Sequence, residues 1–464
     1  MAFVGTKRHD VNMTEGNIAG NLIRFAFPLL LGNLFQQLYN MVDTWVIGQW
    51  GLAAEYSAVG SVGPIINILI GFFLGLSSGA GVVISTYYGA GDTKKVHDAV
   101  HTSMVMTVFF AALFTILGIA LAPTMLNLMF QSKVENSELL PYATTYLTIY
   151  FAGVVGLLIY NMGSGILRAV GDSKRPFYFL VVSALLNIVL DIVFVVFFRM
   201  GVAGVALATV LAQLVSAALT LYVLLRTDSC VKLNLGDLKL DISMLGKIVK
   251  IGIPTALQLA ITSFSNVFVQ SYIGNIDPIA HQIEHLGAWT TYGKLDQILF
   301  LAPQSLSVAV MTFVGQNLGK GDVSRAKKGA GIAYLQSTVI TAAIMVPLVV
   351  FAPSLARFFN DAPLIVEYAT ILLRTITPFY LICSINQVFS GALRGAGNSR
   401  APMINMLASF VLFRQIYLFV MTNYISNDLI PVAMSYPAGW AMCGILTLIT
   451  YLTFRFEKSK VMEK

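Results

Sequence analysis

Residues 168–176 read Arg168-Ala169-Val170-Gly171-Asp172-Ser173-Lys174-Arg175-Pro176, and the order returns as Arg394-Gly395-Ala396-Gly397-Asn398-Ser399-Arg400-Ala401-Pro402. The two copies stand 226 residues apart, and the same step carries Pro28 onto Pro254. A third echo sets Gly89-Ala90-Gly91-Asp92-Thr93-Lys94-Lys95 against Gly319-Lys320-Gly321-Asp322-Val323-Ser324-Arg325 at a step of 230, so a small insertion before this turn is cancelled after it. Three matches in one order mark an internal duplication. Gly followed by Asp or Asn and a basic residue is turn punctuation, and what lies between these turns is almost wholly apolar.

Of the 464 residues, 57% are hydrophobic and 11% charged, whereas a soluble globular chain runs at about 45–50% and about 25%. A water-soluble fold, a disordered chain and a fibre are all excluded. Cutting at the charged breaks leaves about twelve stretches near or above the roughly 20 residues that span a bilayer as a helix: 22–48, 55–88, 99–125, 142–166, 177–198, 202–225, 248–273, 287–317, 328–352, 367–392, 403–424 and 432–454. The fold class is an all-α membrane protein, with twelve transmembrane helices in two pseudo-symmetric six-helix bundles. The expected division is an N-terminal lobe 1–226, a cytoplasmic linker 227–247 and a C-terminal lobe 248–464. An even number of spans per copy gives both halves one orientation, related by an axis along the membrane normal, as in some alternating-access transporters.

The net charge of +7 would suggest nucleic acid in a soluble protein; here it is explained by loop asymmetry. Lys7, Arg8 and Arg24, Lys94 and Lys95, Arg168, Lys174 and Arg175, Arg226 to Lys250, Lys320 to Lys328, Arg394 and Arg400, and Arg455 to Lys464 all fall on one side. The other side holds only Lys133, Arg199 and Arg357. The positive-inside rule puts both termini in the cytoplasm of a multi-pass plasma-membrane protein. Residues 1–21 lack the apolar core of a signal peptide and read as a retained leader. Cys230, Cys383 and Cys443 are too scattered for a disulfide framework or a zinc site.

A charged side chain at the bilayer centre costs about 2.5–3.5 kcal/mol even on the lenient insertion scale, so each one needs a reason. The first span carries Asn33, Gln36, Gln37, Asn40, Asp43 and Thr44 at helical steps, a polar stripe down one face. Ser183, Asn187 and Asp191 repeat every four residues in the fifth, and Thr209 and Gln213 do so in the sixth. Converging, Asp43, Asn187, Asp191 and Thr209 would form a cluster of oxygens able to take a proton or Na⁺, by the same hardness logic that gives Ca²⁺ and Mg²⁺ their oxygen ligands; no metal beyond Na⁺ is expected. Substrate-cavity candidates are Asn33, Gln36, Gln37, Asn40 and Gln213 with Gln258, Asn266, Lys294 and Asp296 of the second half. A packing role through interhelical hydrogen bonds is the competing account of the amides.

The second half has lost the cluster: Asp43 maps to Val269, Asn187 to Phe413 and Asp191 to Tyr417, although Asn40 still maps to Asn266. Lys294 and Asp296, two residues apart on a helix, point to different faces and should find separate partners. Arg374 and Arg414 have no partner legible in the sequence. No P-loop, dinucleotide fingerprint or HExxH is present, and His281 and His285 lack a third ligand, so neither an enzyme, a cofactor nor ATP hydrolysis is indicated.

The chain resembles the multidrug and toxic compound extrusion (MATE) family over nearly its whole length. The resemblance is carried by Leu38-Tyr39-Asn40-Met41-Val42-Asp43-Thr44, the paired turns after Leu167 and Leu393, and Phe313-Val314-Gly315-Gln316-Asn317-Leu318-Gly319. It implies a central cavity alternately open to each side and export of organic cations, driven by inward H⁺ or Na⁺; the expected substrates are organic cations or other amphipathic compounds, and the expected functional form is a monomer. In the branch with a cation site in the N-terminal lobe, the family's acidic and polar positions fall on Asp43, Asn187, Asp191 and Thr209; in the mechanism expected here, the first helix rearranges about a hinge at Pro28. The other branch has an acid in the tenth helix, where this chain has Cys383, Ser384 and Asn386. A flippase for lipid-linked precursors would need Arg or Lys for phosphate, with only Lys294, Arg374 and Arg414 on offer; a receptor would show no gradient-driven flux.

Overall fold

The computed structural model describes residues 11–130, 139–276, 282–458 and 461, and no strand occurs among them; His281 and Lys133 lie outside the described residues. The helices of the first half are α1 (Ile18–Trp50), α2 (Ala53–Gly89), α3 (Thr93–Phe130), α4 (Leu139–Ala152 and Val154–Ala169), α5 (Lys174–Phe197) and α6 (Gly201–Arg226). Those of the second are α7 (Ile242–Ile273), α8 (Gln282–Gly319), α9 (Val323–Val350), α10 (Pro363–Gly395), α11 (Arg400–Ile425) and α12 (Leu429–Thr453). Eleven are each long and apolar enough to cross a bilayer, and the two segments of α4, bent by 48°, make a twelfth if taken as one span. The helices overrun the sequence-derived spans because they continue past the apolar run into polar turns.

The Gly-Asp and Gly-Asn motifs explain themselves in the backbone. Gly91, Gly171, Gly321 and Gly397 all have positive φ, a conformation glycine reaches without a Cβ clash. At the 171 turn, Asp172 N–H donates to Leu167 O at 3.0 Å, and at the 397 turn Asn398 N–H donates to Leu393 O at 2.9 Å, the hydrogen bond that closes a helix end. The next side chain opens the following helix: Asp172 Oδ1 accepts from Arg175 N–H at 3.1 Å and Asn398 Oδ1 from Ala401 N–H at 3.2 Å. Asp92 and Asp322 do the same at the other two turns. One residue pair thus ends a helix and caps its successor four times.

The described chain forms two compact units, and each takes in the start of the other half's first helix. Phe27–Gly252 forms the body of one; Asn12–Ala26 and Ile253–Lys464 belong to the other. The changes fall just ahead of Pro28 in α1 and Pro254 in α7, where proline removes an N–H from the helix ladder. These limits differ from those drawn on polarity. The segment 227–247 is packed into the first unit: Val231 and Leu233 are buried, Asp241 N–H donates to Thr102 Oγ1 at 3.2 Å, and Lys247 Nζ donates to Tyr87 Oη at 2.8 Å. In the second unit the leader's open carbonyls are taken by Asn317, which donates to Met13 O at 3.0 Å, and by Arg325, which donates to Glu15 O at 2.9 Å and Gly16 O at 3.0 Å.

Candidate cation site in the first unit

α5 carries Ser183, Asn187 and Asp191 on one buried face. Ser183 Oγ donates to Ala212 O at 2.8 Å, fastening α5 to α6. Glu55, at the start of α2, accepts from Leu52 N–H at 2.8 Å and from Val202 N–H at 3.2 Å, which fixes the start of α6. Immediately after Asp191 the helix widens into a π-helical turn, Ile192–Phe197, a feature frequent at functional sites.

Asp191 is fully buried, Asn187 2% exposed, Thr209 7% and Asp43 9%. The carboxyl groups of Asp43 and Asp191 lie within hydrogen-bonding reach of each other. Neither can donate unless a proton is added. Accordingly both oxygens of Asp191, Oδ1 of Asp43 and both amide atoms of Asn187 have no hydrogen-bond partner among the described residues. Two carboxylates and an amide without donors, in so dry a place, form an arrangement that a proton or Na⁺ would complete. Thr209 Oγ1 donates to Val205 O at 3.0 Å, leaving its lone pairs open; no hydrogen bond to the carboxylates is described for it.

Tyrosines that the sequence did not single out surround this pair. Tyr39 and Tyr146 lie close enough to feel the charge of Asp43, and Tyr146 that of Asp191 as well. Tyr146 stacks on Tyr150 with centroids 6.2 Å apart, and Tyr150 lies near Gln213, as Tyr39 does near Gln36. The i, i+4 spacings of Tyr39 to Asp43 and of Tyr146 to Tyr150 were the available signals.

The remaining candidates separate. Asn33, Gln36, Gln37 and Gln213 are half-buried, and Asn40 is exposed. In the second unit, Gln258 is buried with its amide used at both ends, donating to Ser399 O at 3.0 Å and accepting from Arg394 Nη1 at 3.1 Å. Asn266 accepts from Arg414 Nη1 at 3.4 Å. Asp296 accepts from Tyr292 Oη at 2.6 Å and from Tyr380 Oη, while Lys294 lies over the Phe359 ring at 5.3 Å. These two charges find separate partners, as their spacing requires. Arg374 is exposed, and Arg414 is enclosed by the rings of Phe410 and Tyr436.

Residues 28–193 and 254–420 each match the MatE family, two copies of one pattern in one chain. The chain belongs to the MatE family. It is therefore a multi-pass membrane transporter and not an enzyme. It is 28% identical over 453 residues to the probable multidrug resistance protein YpnP of Bacillus subtilis, covering 97% of this chain and 98% of that one. It is 27% identical over 453 residues to the probable multidrug resistance protein NorM of Thermotoga maritima, covering 96% and 95%. A solved outward-facing multidrug resistance MATE transporter of the MOP superfamily superposes with a TM-score of 0.89 at 22% identity, over 97% of this MatE chain and 98% of that one.

Proposed function

We propose that this MatE protein is a secondary active exporter that moves organic cations or other amphipathic compounds outward against inward H⁺ or Na⁺, working as a monomer in the plasma membrane with both termini in the cytoplasm. The carrying observation is the contact of Asp43 with Asp191, two buried carboxyl groups that lack donors beside the open amide of Asn187. The multidrug resistance names of its relatives support the substrate class.

In the outward-open state the carboxylate pair takes the ion, because one added positive charge relieves the repulsion between two close anions and gives the orphaned oxygens a partner. The stretch of α1 at Pro28 then rearranges, since a helix with a missing ladder bond bends there most easily. Substrate leaves outward, and the ion-loaded protein turns inward to release its ion and take up substrate. Ion and substrate must each prefer a different state, otherwise the gradient does no work.

Ethidium flux in proteoliposomes, with a pH gradient and a Na⁺ gradient imposed separately, tests this. Flux that follows one gradient and is lost in Asp43→Asn identifies the coupling ion. Equal flux by wild type and Asp43→Asn, at equal protein content, would overturn the assignment of the site.

A further inference from the structure

The segment between α6 and α7 is fastened to α3 at two points. His101 donates from Nδ1 to His97 O at 2.8 Å, which leaves Nε2 to accept from Asn234 N–H at 3.1 Å; seven residues later Asp241 N–H donates to Thr102 Oγ1. α3 starts at Thr93, so at 1.5 Å per residue these fastenings lie about 12–14 Å along its axis from the turn. They fall at the start of the apolar run 99–125, two to three turns in from the tip of α3.

Between the fastenings and just past the second, the segment shows an apolar face to the outside. Leu235 is 65% exposed, Leu238 42%, Leu240 46% and Ile242 71%, whereas Val231 and Leu233 are turned inward and buried. Leu238 has extended backbone, and in an extended chain residues two apart share a side. Leu238 and Leu240 thus point one way. Lys239, between them, lines a cavity of about 200 Å³ with His97, Asp98, Asp237 and Asp241, so its charge is directed away from the leucines. Arg226 and Lys232, before it in the chain, and Lys250, after it, are exposed.

We propose that Leu235–Ile242 is a membrane-surface element, its leucines and isoleucine entering the acyl boundary of the adjoining leaflet while Arg226, Lys232 and Lys250 meet anionic phospholipid headgroups. Contiguous exposed aliphatic side chains mark an interaction surface. An apolar strip with basic flanks is what an anionic interface takes up. The strip is fastened beside the start of the apolar run of α3, so the adjoining leaflet is the partner of this chemistry nearest to it. Lipid charge would thereby act on the start of α7, ahead of Pro254.

The test uses the full chain with Cys230→Ser, the remaining Cys383 and Cys443 being buried, and an environment-sensitive NBD label on Leu238→Cys. It is reconstituted in phosphatidylcholine vesicles with and without phosphatidylglycerol. With phosphatidylglycerol the label should emit to the blue of the same label on Asp228→Cys, resist aqueous iodide and be quenched by lipids carrying a shallow nitroxide. Each of Arg226→Gln and Lys232→Gln should lower the docked-to-free ratio about fivefold. Leu240→Cys reports from the same side if Leu238→Cys fails to fold. Water-like, iodide-accessible emission from both positions in phosphatidylglycerol vesicles would overturn the proposal. Protection that ignores both phosphatidylglycerol and the glutamine changes would overturn its headgroup contacts.

Discussion

The interiors of the two units carry opposite charge at counterpart places. The 226-residue step takes Tyr39 to Ser265, Asn40 to Asn266 and Thr209 to Ser435, and it takes Ile188, beside Asn187, to Arg414. Where the first unit gathers Asp43 and Asp191 without donors, the second encloses a guanidinium that is 1% exposed. Arg414 Nη1 donates to Ser265 Oγ at 3.1 Å and Asn266 Oδ1 at 3.4 Å, and the rings of Phe410 and Tyr436 lie 4.5 Å from its centre. Gly439 makes the space: a Cβ there would stand 2.9 Å from Nε and 3.1 Å from Nη2. The difference is one of supply. Under the proposed function the first unit takes its positive charge from outside, so its charge state follows ion occupancy; the second carries one on a side chain of its own, and that charge stays.

The largest effect expected from this contrast is on drive. Asp191→Asn should reduce ion-driven flux to the level of protein-free vesicles, while the counterpart change Tyr417→Phe should leave it within about twofold, since only the hydrogen bond to Pro431 O is lost. Comparable losses from both, measured in the same vesicles, would break the contrast. Next is stability. Arg414→Ala removes two ring contacts worth about 0.5–2 kcal/mol each together with the packing of the side-chain stem. The thermal midpoint of the purified protein should fall by the equivalent of about 2–4 kcal/mol, whereas the flux carried by the remaining folded protein should still follow the ion gradient. An unchanged midpoint would mean that Arg414 does not hold the second unit together. The smallest effect sharpens what the units share: Asn398→Asp, which gives the second turn the residue of the first, should shift stability by no more than about 0.5 kcal/mol, because Asn and Asp cap helices about equally. A shift beyond that in a thermal melt would show that the two turns are not interchangeable.

Much of this was legible before the structure. The duplication, the spans and the stripe ending at Asp43 are local periodicities, and a membrane makes them loud because few polar residues are tolerated there. Asp191 and Asn187 were legible for the same reason. Tyr39, Tyr146 and Tyr150 were not, since tyrosine is at home both in lipid-facing and in packed positions and only neighbourhood distinguishes them. Gln258 had the polarity of a cavity residue, but its partners Arg394 and Ser399 lie more than 130 residues away in the chain. The packing of 227–247 against α3 was hidden similarly: its polarity describes the segment, whereas its place depends on His101 and Thr102.

The exchange of helix starts between the units also sets an order in time. When the ribosome releases 227–252, the partners Tyr87, His101 and Thr102 have already been made, so this segment can dock at once. The leader waits. Its partners Asn317 and Arg325 emerge some 300 residues after Met13, which at about 5–20 residues per second is roughly 15–60 s of synthesis. Only for the last 65 or so residues of that interval, from Gly252 to Asn317, is the first unit complete in sequence while the start of α1 is still unattached, and the leader's partners are all in place once the loop between α8 and α9 is translated.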